Sequence, residues 1–219
     1  MRRTLAFVVM GVMQIGLFAS LASAGVLNFS DDFDTSRWSK GSHDLGRSYT
    51  DPNNVGVSDR NLRTKLPADT PRGGELVSNG LHGYGSYSTS LKVPNAPSSI
   101  TGFFLYQPPD YASEIDIEIY GDSSRGIIFS TYAGGRQTHS QTLDLPFDPT
   151  TGFHDYRFDY APGSLKFYAD GLLMKKWTSG IPRKQMKLYV DAWYPTWLKG
   201  TSPSANIVLL VDRIQHVQN

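Results

Sequence analysis

Short runs with a period of two dominate this chain, and they restrict it to an all-β fold. Tyr87, Thr89, Leu91 and Val93 alternate with Ser86, Ser88, Ser90 and Lys92. Tyr156, Phe158 and Tyr160 alternate with Asp155, Arg157 and Asp159. In an extended strand, residues two apart share a face, so such runs bury one face and wet the other. No long stretch repeats its apolar residues every 3.6 positions, as a helix requires. Further strands are predicted over Gly102 to Tyr106, Ile127 to Tyr132, Met186 to Trp193 and Asn206 to His216. Ser164 to Asp170 and Leu172 to Trp177 flank Asp170-Gly171, a two-residue hairpin signal. Prolines fall between the runs and mark loops and sheet edges. About a dozen short strands with tight turns predict an antiparallel β-sandwich of jelly-roll type. The chain has 219 residues and no linker or repeat, which suits one domain over 25–219.

The first 24 residues stand apart. Arg2 and Arg3 precede a mostly apolar run from Leu5 to Phe18, and Ala22-Ser23-Ala24 offers a small-residue cleavage site. This is the pattern of a secretory signal peptide over 1–24, cleaved near Ala24, and it predicts release to the periplasm or the medium. The apolar run is too short to span a bilayer comfortably, so the mature chain is expected to have no membrane anchor. Removing Arg2 and Arg3 takes Lys+Arg from 21 to 19 against 20 Asp+Glu, a net charge of −1. A near-neutral exported chain has no basic footprint for nucleic acid. With no cysteine, disulfides, thiolate nucleophiles and cysteine-ligated zinc are excluded. The five histidines show no metal-ligand spacing, and each is expected at the surface or in a turn. Asn28-Phe29-Ser30 is a lone glycosylation triplet, of a kind that arises by chance. A monomer is expected.

The most informative run is Ser113-Glu114-Ile115-Asp116-Ile117-Glu118-Ile119-Tyr120. Alternation puts Glu114, Asp116 and Glu118 on one face and the three isoleucines on the other. Neighbouring acids lie roughly 6–7 Å apart at the backbone. Their repulsion is below about 1 kcal/mol per pair in water and grows several-fold in a cleft of lower dielectric. Keeping one carboxyl protonated near neutral pH relieves it. Glycoside hydrolysis needs that condition: one ionised carboxylate to attack the anomeric carbon, and one protonated carboxyl to serve the leaving oxygen. The Cα atoms of Glu114 and Glu118 are roughly 13 Å apart on a regular strand. Two long side chains leaning over the shorter Asp116 can close to the roughly 5–5.5 Å of a retaining pair. An acidic outer strand face is the bland alternative. The aromatic-rich flanking strands instead place the acids over the middle of a sheet, as a cleft floor.

The acidic string resembles the E-x-D-x-E signature of glycoside hydrolase family 16, and within it the licheninases (β-1,3-1,4-glucanases). Other segments fall in the same order: Gly74-Glu75, His82-Gly83-Tyr84-Gly85-Ser86-Tyr87 and Phe103-Phe104-Leu105-Tyr106 before the acidic strand. Phe153 to Tyr160, Leu165 to Gly171, and Asp191-Ala192-Trp193 with Trp197-Leu198 follow it. The resemblance implies a concanavalin-like jelly roll with a concave substrate cleft. It implies Glu114 as nucleophile, Glu118 as general acid/base and Asp116 as the assisting carboxylate. It suggests Glu75, Tyr106, Tyr132, Trp193 and Trp197 as sugar contacts. No cofactor is implied for catalysis, though some members hold a structural calcium, for which Asp212 is the matching position. The chain departs from the licheninase pattern at Ala112-Ser113 in place of Trp-Asp, at Val77 in place of Arg, and at Asp191 in place of Asn. The expected function is a secreted retaining endo-β-glucanase acting on β-1,3-1,4-, β-1,3- or β-1,4-glucan. A transglycosylase on the same carboxylates and a lectin-like binding protein are the alternatives.

Overall fold

The computed structural model describes residues 24–28 and 36–218. Most of the expected export signal, and Phe29 and Ser30 of the glycosylation triplet, lie outside the described residues. In chain order the strands are β1 (Ala24–Asn28), β2 (Trp38–Lys40), β3 (His43–Leu45), β4 (Ser48–Thr50), β5 (Val55–Ser58), β6 (Asn61–Leu66), β7 (Arg72–Ser78), β8 (Gly85–Lys92) and β9 (Ile100–Gln107). They continue with β10 (Ser113–Tyr120), β11 (Gly126–Ala133), β12 (Gln137–Asp144), β13 (His154–Ala161), β14 (Ser164–Ala169), β15 (Leu172–Trp177), β16 (Lys187–Trp193) and β17 (Ile207–Gln218).

These strands form the expected jelly-roll sandwich. One sheet runs β15-β14-β13-β8-β17-β6-β5, with β1 added on β17. The other runs β12-β11-β10-β9-β16-β7-β4-β3, with β2 on β7. Pairing is antiparallel throughout except between β4 and β7. Asp170 and Gly171 make the β14–β15 turn at φ 45° and 77°. Both angles are left-handed, as a two-residue hairpin turn requires. Among the described residues no helix is long and apolar enough to cross a membrane.

Between the sheets lies an aromatic core. Phe158 of β13 stacks on Tyr87 at 4.9 Å and meets Phe103 of the opposite sheet at 5.5 Å. Phe129 of β11 stacks across the sandwich on Phe167 of β14 at 4.7 Å. Ile115, Ile117 and Ile119 are fully buried in the same core. Each contributes about 1.5–3 kcal/mol on leaving water. A slip of β10 by one residue would turn all three outward and drive the acids inward, so burial fixes its register.

The strand count exceeds the expected dozen, and the reason is visible in the extra strands. The edge strand β12 reads Gln-Thr-His-Ser-Gln-Thr-Leu-Asp and has no apolar face to alternate. It is secured from the side instead. His139 stacks on Trp177 at 4.7 Å, and Thr138 Oγ1 donates to the carbonyl of Gly180 at 2.5 Å. Strands β2 to β4 have three residues each, too few to show a period.

Phe158→Ala should cost about 3–5 kcal/mol and lower Tm by roughly ten degrees. Thermal unfolding checks this, and a loss of only a degree or two would contradict the placement of Phe158 at the junction of the sheets.

Candidate active site

Strand pairing builds the site row by row. The side chains of β10 that do not enter the core emerge on the other face of its sheet. There Glu114 stands between Tyr106 of β9 and Tyr132 of β11. Asp116 stands between Phe104 and Ser130, and Glu118 between Gly102 and Ile128. One strand further, β16 sets Lys187 beside Tyr106, Tyr189 beside Phe104, Asp191 beside Gly102 and Trp193 beside Ile100. Then β7 sets Glu75 beside Asp191 and Val77 beside Tyr189. Apart from Ser130, Ile128 and Ile100, which are buried, these residues line an open cleft of about 730 Å³. Glu75, Tyr106, Glu114, Asp116, Glu118, Tyr132, Trp193 and Trp197 all line it.

Five carboxyls therefore meet on one floor: Glu114, Asp116 and Glu118 along β10, and Asp191 and Glu75 across β16 and β7. Burial raises all of them, because a partly dry site penalises the charged form. Glu118 is pushed up to about 7 by burial. Glu75 reaches about 7 for the same reason, with His43 Nε2 3.8 Å from its carboxylate. Asp116 and Asp191, 5% and 1% exposed, are held well above the usual carboxylate range by burial and then by the surrounding charges. Burial, then Glu118 and Asp110, lift Glu114 to about 8, while a hydrogen bond from Asp116 pulls it back. That bond offsets part of the lift, yet Glu114 still stands above Glu118, so of the two Glu118 is the readier to ionise. A protonated Asp116 donates to Glu114 and favours its ionised form, while burial alone lifts Glu118. Because the acids interact strongly, their protons come off as a set rather than residue by residue. Near neutral pH the row can hold ionised and protonated carboxyls side by side.

Two glycines make room for this crowd. A Cβ on Gly102 would stand 2.5 Å from Asp191 Oδ1, which accepts the Gly102 N–H at 3.0 Å. A Cβ on Gly41 would stand 2.4 Å from Glu75 Oε1.

Aromatic rings form the rest of the floor and its rims. Phe104 and Tyr189 stack at 4.8 Å, and Tyr106 meets Tyr189 edge-on at 5.9 Å. Tyr106 donates its hydroxyl hydrogen to Asp110 at 2.6 Å, and Tyr132 accepts one from Gln137 at 2.8 Å. Trp193 is half-buried, while Trp197 is 50% exposed and lies edge-on to Tyr120 at 6.0 Å. Arg47 steadies that rim by donating to the carbonyls of Pro195 and Gly200, both at 3.0 Å.

Several lining residues escaped the sequence reading. Phe104 and Tyr189 sit in apolar runs that read as core. Counting parity along each strand from Tyr106 and Asp191 would have turned them to the cleft. His43, Lys187, Asp110 and Tyr111 carried no local signal. His43 lines the cleft, in addition to lying at the surface as expected. Asp212 occupies the bulge of β17 against β8 and is exposed. Among the described residues no group of three or more His, Asp or Glu could hold a metal ion. Asp212 would supply one carboxylate toward the six to eight oxygens that calcium takes, and no step below depends on a metal.

Comparison with known proteins agrees with this arrangement. The family model for glycosyl hydrolases family 16 matches residues 44–206. A β-glucanase of Paenibacillus polymyxa is 32% identical over 153 residues, covering 67% of this chain and 64% of the relative. One from Paenibacillus macerans is 32% identical over 152 residues, covering 66% of this chain and 64% of the relative. The chain thus spans a little under two thirds of the length of these relatives. The structure of Bacillus licheniformis β-glucanase superimposes with a TM-score of 0.80 at 25% identity, covering 89% of this chain and 99% of that one.

The acid row should tax stability in a pH-dependent way. A carboxyl whose folded pKa is raised binds a proton that the unfolded chain has already lost, so stability falls as pH rises from about 4.5 through the folded value. For Glu118, raised from 4.5 to about 7, the full effect is ~3 kcal/mol. Glu118→Gln should therefore gain stability over the parent at pH 9 and show little of that gain at pH 4. Denaturant unfolding at the two pH values measures it, and a pH-independent difference would contradict the burial of Glu118.

Proposed function

The chain belongs to glycosyl hydrolases family 16, and on that premise we propose that it is an exported, retaining endo-β-glucanase using Glu114 and Glu118. The single observation behind this reading is the row of raised carboxyls on an aromatic cleft floor, with Asp116 donating to Glu114.

The two glutamates take the roles that the family implies, one carboxyl ionised and the other protonated in the productive state. The ionised Glu114 carboxylate attacks the anomeric carbon of a bound glucan and forms an ester bond to it. The bond from that carbon to the glycosidic oxygen breaks, and Glu118 gives this oxygen its proton. Water then attacks the anomeric carbon, Glu118 takes a proton from the water, and the Glu114 ester bond breaks to regenerate the carboxylate. Asp116 steadies the Glu114 anion through its hydrogen bond. Flat rings at Phe104, Tyr106, Tyr189 and Trp193 suit the apolar faces of pyranoses, and Glu75 and Asp191 suit their hydroxyls. A floor this acidic disfavours polyanionic glycans and favours a neutral β-1,3-1,4-, β-1,3- or β-1,4-glucan. The relatives' designation as β-glucanases supports the same substrate class. The enzyme acts as a monomer.

Lichenan, barley glucan, laminarin and xyloglucan form the test panel. The parent should release reducing ends from at least one. Glu118→Gln should lower kcat by roughly 10²–10⁴ on polysaccharide, with a smaller loss on an aryl glycoside whose leaving group needs no proton. Glu114→Gln should be inactive on both. Unchanged release by either variant removes these roles. A parent that binds a glucan without cutting it would favour a lectin-like protein, and transfer to an added acceptor sugar would favour a transglycosylase. The pH profile should be bell-shaped, since one carboxyl must be ionised and the other protonated; a steady rise from about pH 4 to about pH 9 would contradict this.

Export is part of the proposal, resting on the Arg2-Arg3, apolar and Ala22-Ser23-Ala24 pattern. The exported protein should begin at Gly25 by N-terminal sequencing, and an intact Met1 on it would refute the cleavage.

A further inference from the structure

The loop 108–112 joins β9 to β10 at the Glu114 end of the acid row, and it holds Tyr111 in an uncommon backbone conformation. Tyr111 has φ +64°, a left-handed backbone that is costly for a bulky side chain. Its ring is also 55% exposed, although it lines the cleft. A tyrosine that is both strained and poorly buried contributes little to folding, so its position calls for another explanation.

The surrounding bonds hold the loop in place. Gly135 N–H donates to the Tyr111 carbonyl at 3.0 Å, and Gly134 N–H donates to the Ala112 carbonyl at 3.2 Å. These glycines turn β11 into β12 at φ +83° and +64°, a conformation that brings their amides to the loop. Ala112 N–H donates to the Pro109 carbonyl at 3.0 Å, closing the loop on itself. On the other flank Asp110 accepts from the Tyr106 hydroxyl at 2.6 Å. The Tyr111 ring leans on Tyr132 with 5.4 Å between centroids and 39° between planes. Tyr132 pairs directly with Glu114 across β10 and β11. An aromatic face is thus fixed in advance on the β11 side of Glu114, across the row from Tyr189 and Trp193.

We propose that Tyr111, backed by Tyr132, is a stacking platform for the glucan's pyranose ring bound on the β11 side of Glu114. This rests on the glucanase reading and adds to it a specificity-determining residue. A rigid ring loses little freedom when a sugar settles on it, so the strain is a cost of preorganisation.

The test uses Glu114→Gln, which should bind without turnover, and titrates it calorimetrically with β-glucan oligosaccharides of three and six sugars. Tyr111→Gly removes the ring while suiting the left-handed backbone, and Tyr111→Phe keeps the ring. In that background Tyr111→Gly should raise Kd for the hexasaccharide roughly fivefold to tenfold. Its Tm should be unchanged or higher, because glycine relieves the strain. Tyr111→Phe should stay within about twofold of the parent. Equal hexasaccharide affinity in Tyr111→Gly would overturn the proposal. So would a loss in Tyr111→Phe as large as in Tyr111→Gly, or a Tyr111→Gly loss accompanied by a fall in Tm. If the parent itself binds no glucan oligosaccharide and the unmutated enzyme cuts no glucan, the glucanase reading fails and the platform with it. If the parent binds and the glycine variant binds alike, the platform alone fails.

Discussion

Burial of Ile115, Ile117 and Ile119 is the constraint on which the rest depends. These side chains are fully enclosed between the sheets. A pleated strand that commits one face to the core commits the other to the opposite side. Glu114, Asp116 and Glu118 therefore have no choice of face, and the hydrophobic effect supplies the force that aligns three mutually repelling acids. Once that register is set, hydrogen-bonded neighbours bring Tyr106, Phe104 and Gly102 on one side and Tyr132 and Ser130 on the other.

The site is in this sense a by-product of core packing, but its electrostatics oppose the fold. Five carboxyls share a cleft in which each is penalised for ionising. The molecule accommodates them through glycine at 41 and 102, through the Gly102 amide on Asp191, and through proton sharing between Asp116 and Glu114. Asp191 illustrates the compromise. The family pattern has an amide there, and a buried carboxyl held neutral has nearly the same shape. The replacement thus keeps the side chain's shape while adding a group that can release a proton.

What could be read from the chain follows from which forces leave a local trace. Alternation over Glu114–Glu118 and the Asp170-Gly171 turn were legible because both depend on neighbours in sequence. Edge strand β12 was not, since its His139 and Thr138 are secured by contacts with Trp177 and Gly180, which lie about forty positions away. Phe104 and Tyr189 look like core residues in sequence, and only their two-residue spacing from Tyr106 and Asp191 turns them toward the cleft. Gly102 and Gly41 look like loop-formers or weak strand residues; their meaning lies in carboxylates that approach from other strands. Tyr111 is the extreme case, because a positive φ on a tyrosine leaves no mark in sequence. The acid row was legible and the cleft around it was not, since the first is written on one strand and the second across six.

A direct probe of the account is the covalent bond it requires. Incubation with a 2-deoxy-2-fluoro β-glucoside bearing a good leaving group slows both steps and lets the glycosyl-enzyme accumulate. Mass spectrometry of the intact protein should show one added sugar, and peptide mapping should place it on Glu114 as an ester. A label on any other residue, or turnover of natural glucan that first yields the inverted α-anomer with no label at all, would contradict the account.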